Sequence, residues 1–147
     1  MSKPTIVMAN DHAAFELKHI LKDMLIADGF SVTDLGTEGA GSVDYPDYGH
    51  KAAQAVLEGG EGTLGIILCG TGIGISIAAN RHAGIRAALC HNTTEAALTR
   101  QHNDANILAI GARMLGVEVA KDITRTCLTT AFEGGRHARR VGKLDQS

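Results

Sequence analysis

The chain has 147 residues, of which 44% are hydrophobic, so it is long enough for one compact domain and too apolar to be disordered. Its net charge of −2 and its aromatic content of 3% argue against a nucleic-acid-binding protein. The three cysteines are widely spaced and form no C-x-x-C pair, which argues against a disulfide framework and a zinc site. Without a signal peptide or an apolar run near ~20 residues, we expect no membrane segment and a cytoplasmic location.

The first third of the chain predicts two strands, each followed by a helix. Residues 5–9 are an apolar, β-prone strand, and residues 10–12 form the turn at its carboxyl end. A helix is predicted over residues 13–28, with Lys18 and Lys22 on its solvent face. A second strand covers residues 31–35, and a second helix covers residues 47–58. The apolar stripe of the first helix, expected to face the core, comprises Leu17, Ile20, Leu21, Met24 and Leu25.

The centre of the chain is a strand that runs into a glycine-rich turn. Residues 66–69 are apolar, Gly70, Gly72 and Gly74 follow, and a helix is predicted from Gly74 onwards. A strand, a glycine turn and a helix N-terminus together predict an anion site, because first-turn N–H groups lack internal acceptors. The spacing is neither G-x-G-x-x-G nor a P-loop, so nucleotide binding is not expected. The alternative is a tight turn with close helix packing.

The remaining sequence continues the strand–helix alternation. Strands are predicted over 85–90 and 107–110, with one helix from an Asn92 capping box to about Gln101, and another over 116–130. His102 and the next two residues are expected to form a turn. Five βα units predict a parallel sheet covered by helices on both faces, in one domain over residues 1–147. Ligands bind beyond the carboxyl ends of such strands, where we expect these residues to converge: Asp11, His12, Cys69, Thr71, His102 and Asn103.

Cys69 stands where the central strand meets the glycine turn. Orphan N–H groups there would stabilise a thiolate, although a buried, inert thiol is the commoner state and is expected for Cys90 and Cys127. His12 and His102 are candidates for chemistry, or simply a solvated and a helix-end histidine. No H-x-x-x-H or H-E-x-x-H pair is present, so no metal is expected. Arg136 and Arg140 are four positions apart, and they form a phosphate clamp if that segment is helical and a solvated basic tail otherwise.

Several motifs in order along nearly the whole chain resemble the ribose-5-phosphate isomerase B family, which includes allose- and galactose-6-phosphate isomerases. The motifs that carry the resemblance are Asp11-His12, Asp44-Tyr45-Pro46, Cys69-Gly70-Thr71-Gly72-Ile73-Gly74-Ile75-Ser76, Gly84-Ile85-Arg86-Ala87, Arg100-Gln101-His102-Asn103-Asp104 and Glu133-Gly134-Gly135-Arg136-His137. A second branch of the family uses a glutamate in the glycine-turn region. Cys69 and Ser76 place this chain with the thiol users.

The resemblance implies a Rossmann-like α/β/α sandwich with a five-stranded parallel sheet. It also implies a homodimer, or a tetramer, with sites at the subunit interface, and a tail from about residue 131 at that interface. It implies aldose–ketose isomerisation of a sugar phosphate without metal or other cofactor. Cys69 would be the base, Thr71 would assist at the enediolate, and His102 would help to open the sugar ring. The substrate-binding residues that it implies are Asp11, His12, Tyr45, Gly70, Gly72, Gly74, Asn103, Arg113, Arg136 and Arg140.

Ribose 5-phosphate and ribulose 5-phosphate are the expected substrates. The family usually has glycine where this chain has Ala14, and Ala9 and Asn10 are also less usual. These residues border the expected sugar site. A hexose 6-phosphate or a tetrose 4-phosphate therefore stays open as the substrate, as does a non-catalytic sugar-phosphate-binding protein, because a fold alone does not fix function.

Overall fold

Residues 3–146 are described by a computed structural model, and they form a five-stranded parallel sheet between two layers of helices. Across the sheet, the strands follow in the order second, first, third, fifth and fourth of the chain, and every neighbouring pair is parallel. None of the helices within 3–146 is both long and apolar enough to cross a membrane. The strands are β1 (Thr5–Asn10), β2 (Val32–Asp34), β3 (Thr63–Cys69), β4 (Ala87–Leu89) and β5 (Ile107–Gly111).

Two buried clusters, one on each face of the sheet, hold the layers together. One face packs against the first, fourth and fifth α-helices of the chain, and the other face packs against the second and third. This arrangement confirms the predicted three-layer α/β/α sandwich. The helices are α1 (Phe15–Ala27), α2 (Tyr45–Gly59), α3 (Ile73–Asn80), α4 (Thr93–Asn103), α5 (Val117–Thr129) and α6 (Arg136–Val141).

Several predicted boundaries differ for identifiable reasons. The first helix starts with a separate 3₁₀ turn, His12–Ala14, because the Asp11 carboxylate accepts a hydrogen bond from the Ala13 amide. The second helix begins at Tyr45, two residues earlier than predicted, with a proline in its first turn, where the missing N–H costs nothing. His102 and Asn103 belong to α4, which ends at Asp104 in the left-handed conformation.

The solvent face predicted for α1 is wrong at Lys18, whose side chain is fully buried, and Ile20 is 37% exposed. Nζ of Lys18 lies 2.7 Å from Asp34 and 3.2 Å from Glu38, so the buried cation has two carboxylate partners. Because Asp34 ends β2 and Glu38 lies in the following loop, this contact ties the 35–44 loop to α1.

Because all strands run the same way, the sheet has a carboxyl edge, where β3 ends at Cys69, and an amino edge, where β3 starts at Thr63. Each helix that follows a strand carries the chain back to the amino edge. The C-terminal segment also lies near the amino edge, since α6 packs on α4 and the Asp145 carboxylate accepts a hydrogen bond from the Gly84 amide.

Candidate active site

The turn after β3 holds the Cys69 thiol at the start of α3. Gly72 adopts the left-handed conformation, with φ of +77°, and a Cβ there would lie 2.6 Å from the Leu89 side chain and 2.8 Å from the Gly111 nitrogen. Only glycine fits this position. The backbone consequently folds back, and the Gly72 amide donates a hydrogen bond to Sγ of the buried Cys69 over 3.2 Å.

The same turn presents further polar groups. The Thr71 hydroxyl accepts a hydrogen bond from the Ile73 amide over 3.2 Å, and the Thr71 side chain is exposed. The amides of Gly74 and Ile75 fall in the first turn of α3, where the helix dipole favours negative charge. The turn is therefore suited to hold a thiolate and a neighbouring oxyanion.

Other predicted residues lie around this turn at the carboxyl edge. The Asp11 amide donates to the Leu68 carbonyl of β3, which places Asp11 beside the residue that precedes Cys69. The Tyr45 ring covers Gly74, where a Cβ would lie 2.5 Å from a ring carbon. The exposed Arg113 lies across Gly70, with Nη1 3.3 Å from the position of a Cβ there.

The 35–44 loop lies over the carboxyl edge. It is held in place by His12 and by Asn10, and Asn10 had been assigned no role in binding or catalysis. The Val43 amide donates to Nδ1 of His12 over 3.1 Å. Nδ2 of the fully buried Asn10 donates to the Asp11 and Thr37 carbonyls, whereas Oδ1 of Asn10 has no hydrogen-bond partner among residues 3–146. That oxygen points at Gly36, where a Cβ would lie only 1.7 Å away. The only sequence signal was that Asn10 is unusual beside Asp11.

His102, Asn103, Arg136 and Arg140 are not beside Cys69 within one chain, so the expected convergence at the carboxyl edge is wrong for His102 and Asn103. Helix α4 starts at the carboxyl edge and ends at the amino edge. Its 11 residues make it about 16 Å long. Arg136 and Arg140 lie one turn apart on α6, which confirms the helical spacing needed for a clamp. They are on the amino-edge side with His102.

His102 forms a cluster with Glu133 and His137 in which the possible ligand atoms lie within 4.8 Å of one another. The two imidazoles are stacked, with centroids 4.4 Å apart and an angle of 14° between the planes. A metal ion binds in the plane of an imidazole, and two nearly parallel planes share no point within bonding distance of both nitrogens. The cluster is therefore poorly arranged for a metal. Burial, followed by the nearby His102 and Arg136, lowers the pKa of His137.

The other two cysteines fit the expected inert thiols. Cys90 and Cys127 are buried in the cluster beneath α4 and α5. Burial raises the pKa of Cys90 to about 12 and that of Cys127 to about 11, so both thiols stay protonated at neutral pH. All three cysteines are free.

The chain is similar in sequence to a family model and to known proteins that are described as sugar-phosphate isomerases. Residues 6–144 match the family model described as Ribose/Galactose Isomerase. The ribose-5-phosphate isomerase B of Escherichia coli is 49% identical over 136 residues, covering 92% of this chain and 91% of the relative. The D-erythrulose-4-phosphate isomerase of Pectobacterium atrosepticum is 43% identical over 141 residues, covering 95% and 92% of the two chains.

Solved structures agree with these relatives. The ribose 5-phosphate isomerase of Thermotoga maritima has a TM-score of 0.94 at 52% identity, covering 98% of this chain and 99% of that one. The ribose-5-phosphate isomerase B of Mycoplasma genitalium, solved with bound ribulose-5-phosphate, has a TM-score of 0.92 at 39% identity, covering 95% and 93%. The chain therefore belongs to the Ribose/Galactose Isomerase family and is an aldose–ketose isomerase.

Proposed function

We propose that the chain interconverts ribose 5-phosphate and ribulose 5-phosphate, with Cys69 as the base and without a metal. The observation that carries this proposal is the hydrogen bond from the Gly72 amide to Sγ of Cys69 at the start of α3. It places an N–H donor on the sulfur of the proposed base, beside amides that suit an oxyanion. The names of the E. coli, T. maritima and M. genitalium relatives support the substrate.

The proposed chemistry needs a base next to a stabilised oxyanion. The Cys69 thiolate removes the proton from C2 of the open-chain aldose, and the electron pair moves to O1 to give an enediolate. The amides of the glycine turn and Thr71 stabilise this negative charge. A proton passes from O2 to O1, and the Cys69 thiol returns its proton to C1. The net change moves hydrogen from C2 to C1 and needs no redox partner.

We further propose a homodimer in which each site combines the carboxyl edge of one chain with the amino edge of its partner. Cys69 and Thr71 lie at the carboxyl edge, whereas His102, Arg136 and Arg140 lie on the amino-edge side of the same chain. Next to the glycine turn, Ile73 and Ile77 of α3 are more than half exposed and lie one turn apart, as expected for a surface covered by another chain. In this arrangement the segment from about residue 131 lies at the interface.

Each proposed contact has a defined task. Asp11 and Asn103 bind sugar hydroxyls, and Tyr45 forms a wall over Gly74. His102 opens the furanose ring. The phosphate is held by the charged groups of both edges, namely His12, Arg113, Arg136 and Arg140. We also propose a reducing compartment, the cytoplasm, which is consistent with three free thiols.

A tetrose 4-phosphate is the second candidate substrate, and the Pectobacterium relative favours it. The family description, which includes galactose, keeps a hexose 6-phosphate as a third. Comparing kcat/KM for aldose phosphates of four, five and six carbons decides among them. We expect the highest value for ribose 5-phosphate, and a higher value for another aldose would reassign the substrate.

Variants at Cys69 test the mechanism. Cys69→Ala should lower kcat by about 10²–10⁴-fold, the usual contribution of a general base, without unfolding the protein. Cys127→Ala, which also removes a buried thiol, is the matched control and should stay active. Full activity of Cys69→Ala would refute the base assignment. Activity that falls after chelator treatment and returns with a divalent metal would refute metal-free catalysis.

Mixing two inactive variants tests the shared site. Cys69→Ala and His102→Ala chains, unfolded together and refolded, should form mixed dimers with one intact site and one doubly altered site. Random pairing restores about a quarter of the wild-type specific activity in a two-fold symmetric dimer. No recovery, with mixed dimers demonstrated by mass spectrometry, would show that each site is built from one chain.

A further inference from the structure

The segment after α5 folds back onto the last turn of α4 and places two side chains against His102. The Glu133 amide donates to the Gln101 carbonyl over 3.1 Å. Gly134 and Gly135 both have positive φ, of +67° and +57°, and so reverse the chain at the start of α6. The reversal brings His137 over His102.

His137 covers one flat face of the His102 imidazole. The ring planes are 14° apart and the centroids are separated by 4.4 Å. The His137 side chain is 12% exposed, whereas that of His102 is 42% exposed. His137 is thus packed in place, and the exposed parts of the His102 ring remain open to a ligand.

Glu133 lies at the edge of both rings. Its Oε1 is 3.8 Å from Nε2 of His102 and 3.6 Å from Nε2 of His137, distances at which the carboxylate faces both rings but forms no hydrogen bond. Burial, followed by the nearby His102 and Arg136, lowers the pKa of His137. The lowered pKa favours the neutral form of His137 at neutral pH, and the Glu133 carboxylate faces the Nε2 edge of His102.

We propose that Glu133 and His137 are positioning residues for His102: His137 fixes the plane of its ring, and Glu133 fixes the edge that carries its proton. The inference rests on the proposed function, in which His102 opens the furanose. In that step the ring oxygen gains a proton as its bond to C1 breaks, and the C1 hydroxyl loses one as the carbonyl forms. A His102 imidazole of fixed orientation is therefore needed only for substrates in which the furanose ring oxygen is bonded to C1.

The test compares cyclic and acyclic substrates. Ribose 5-phosphate is mainly a furanose, whereas erythrose 4-phosphate and 4-deoxyribose 5-phosphate lack a free 4-hydroxyl and cannot form that ring. His137→Ala and Glu133→Gln should each lower kcat for ribose 5-phosphate at least about tenfold. They should change the rates for the acyclic aldoses less than about twofold, because proton transfer at Cys69 is untouched. His137→Phe, which keeps a flat ring, should recover most of the ribose 5-phosphate rate.

The matched control is His82→Ala, which removes one ring of another histidine pair, His50 and His82, whose centroids are 4.9 Å apart. His82→Ala should change the rates for the cyclic and the acyclic substrates by the same factor relative to wild type. Equal losses on both substrate types, no loss at all, or a His137→Phe variant no better than His137→Ala would each overturn the inference. A wild-type enzyme that fails to isomerise ribose 5-phosphate would instead overturn the proposed function. If it accepts neither acyclic aldose, the comparison of His137→Phe with His137→Ala decides.

Discussion

The amide of Gly72 lies 3.2 Å from Sγ of Cys69 and donates a hydrogen bond to it. This contact depends on a left-handed backbone at a position with no room for a Cβ atom, so the thiol and the glycine act as one unit.

Gly72→Ala should lower kcat by about 10²–10³-fold, because the turn must move and carries the donors with it. The matched control is Gly62→Ala, which has a similar φ of +81° but open space around the added methyl group. That control should lose only about 1–2 kcal/mol of stability from backbone strain and keep its kcat. Steady-state kinetics and urea unfolding of both variants measure the difference, and similar kinetics would separate Gly72 from catalysis.

Arg136→Ala and Arg140→Ala should each raise KM about tenfold or more with a smaller change in kcat, because the proposed contact of each arginine with the phosphate would act in ground and transition state alike. Arg139→Ala is the control, since it removes an equally exposed arginine of α6 that is not among the proposed phosphate ligands. Initial rates over a range of substrate concentrations give both constants. An equal rise of KM in all three variants would indicate a general effect of net charge.

Lys18→Ala should lower the free energy of unfolding by about 3–5 kcal/mol, since it leaves the buried Asp34 carboxylate without its main partner. Burial raises the pKa of Asp34, but the hydrogen bonds from Lys18, Gly36 and Lys22 outweigh it, so the pKa lies below 3.8. The stability that Asp34 contributes is therefore present above pH 3.8 and lost as the pH falls further. In Lys18→Ala the pKa of Asp34 loses its largest lowering contribution, so the loss of stability on acidification should be smaller than in wild type.

Urea unfolding across the acid range measures both effects. Lys22→Ala, which removes the more exposed of the two lysines on Asp34, should cost only about 0–1 kcal/mol. A similar cost for the two lysines would show that the burial of Lys18 carries no special weight.

The buried thiols predict alkaline destabilisation. Burial raises the pKa of Cys90 to about 12 and that of Cys127 to about 11, whereas the unfolded chain ionises near 9.0. Stability is thus unaffected by these groups below pH 9 and falls between pH 9 and 11, by about 1.4 kcal/mol per pH unit for each thiol. Urea unfolding at pH 8 to 10.5 should show a shallower fall for the Cys90→Ala/Cys127→Ala variant than for wild type. Identical slopes would refute the prediction.

The glycine turn was predictable because its signals are local. Gly70, Gly72 and Gly74 directly follow an apolar strand, so their spacing alone placed Cys69 at a helix N-terminus. The sandwich was predictable for the same reason, since each βα unit is read within about 30 residues.

Lys18 and His102 were misplaced because their positions depend on the rest of the fold. Helical periodicity treats a lysine as polar, and its partner Asp34 lies 16 residues further on. The predicted parallel sheet was enough to place His102 at the amino edge, because a helix that follows β4 must return the chain to that edge before β5 starts. The contacts of Glu133 and His137 with His102 depend on the path of the C-terminal segment, which no local pattern indicates.

The contact between Asn10 and Gly36 has an evolutionary consequence. A Cβ at position 36 would lie 1.7 Å from Oδ1 and 2.9 Å from the backbone nitrogen of Asn10, so an amide at position 10 requires a glycine at position 36. Related sequences with any other residue at position 36 should carry a shorter side chain at position 10 and a shifted backbone there. The two positions should therefore change as a pair, and their joint substitution is a route by which the wall beside Asp11 moves.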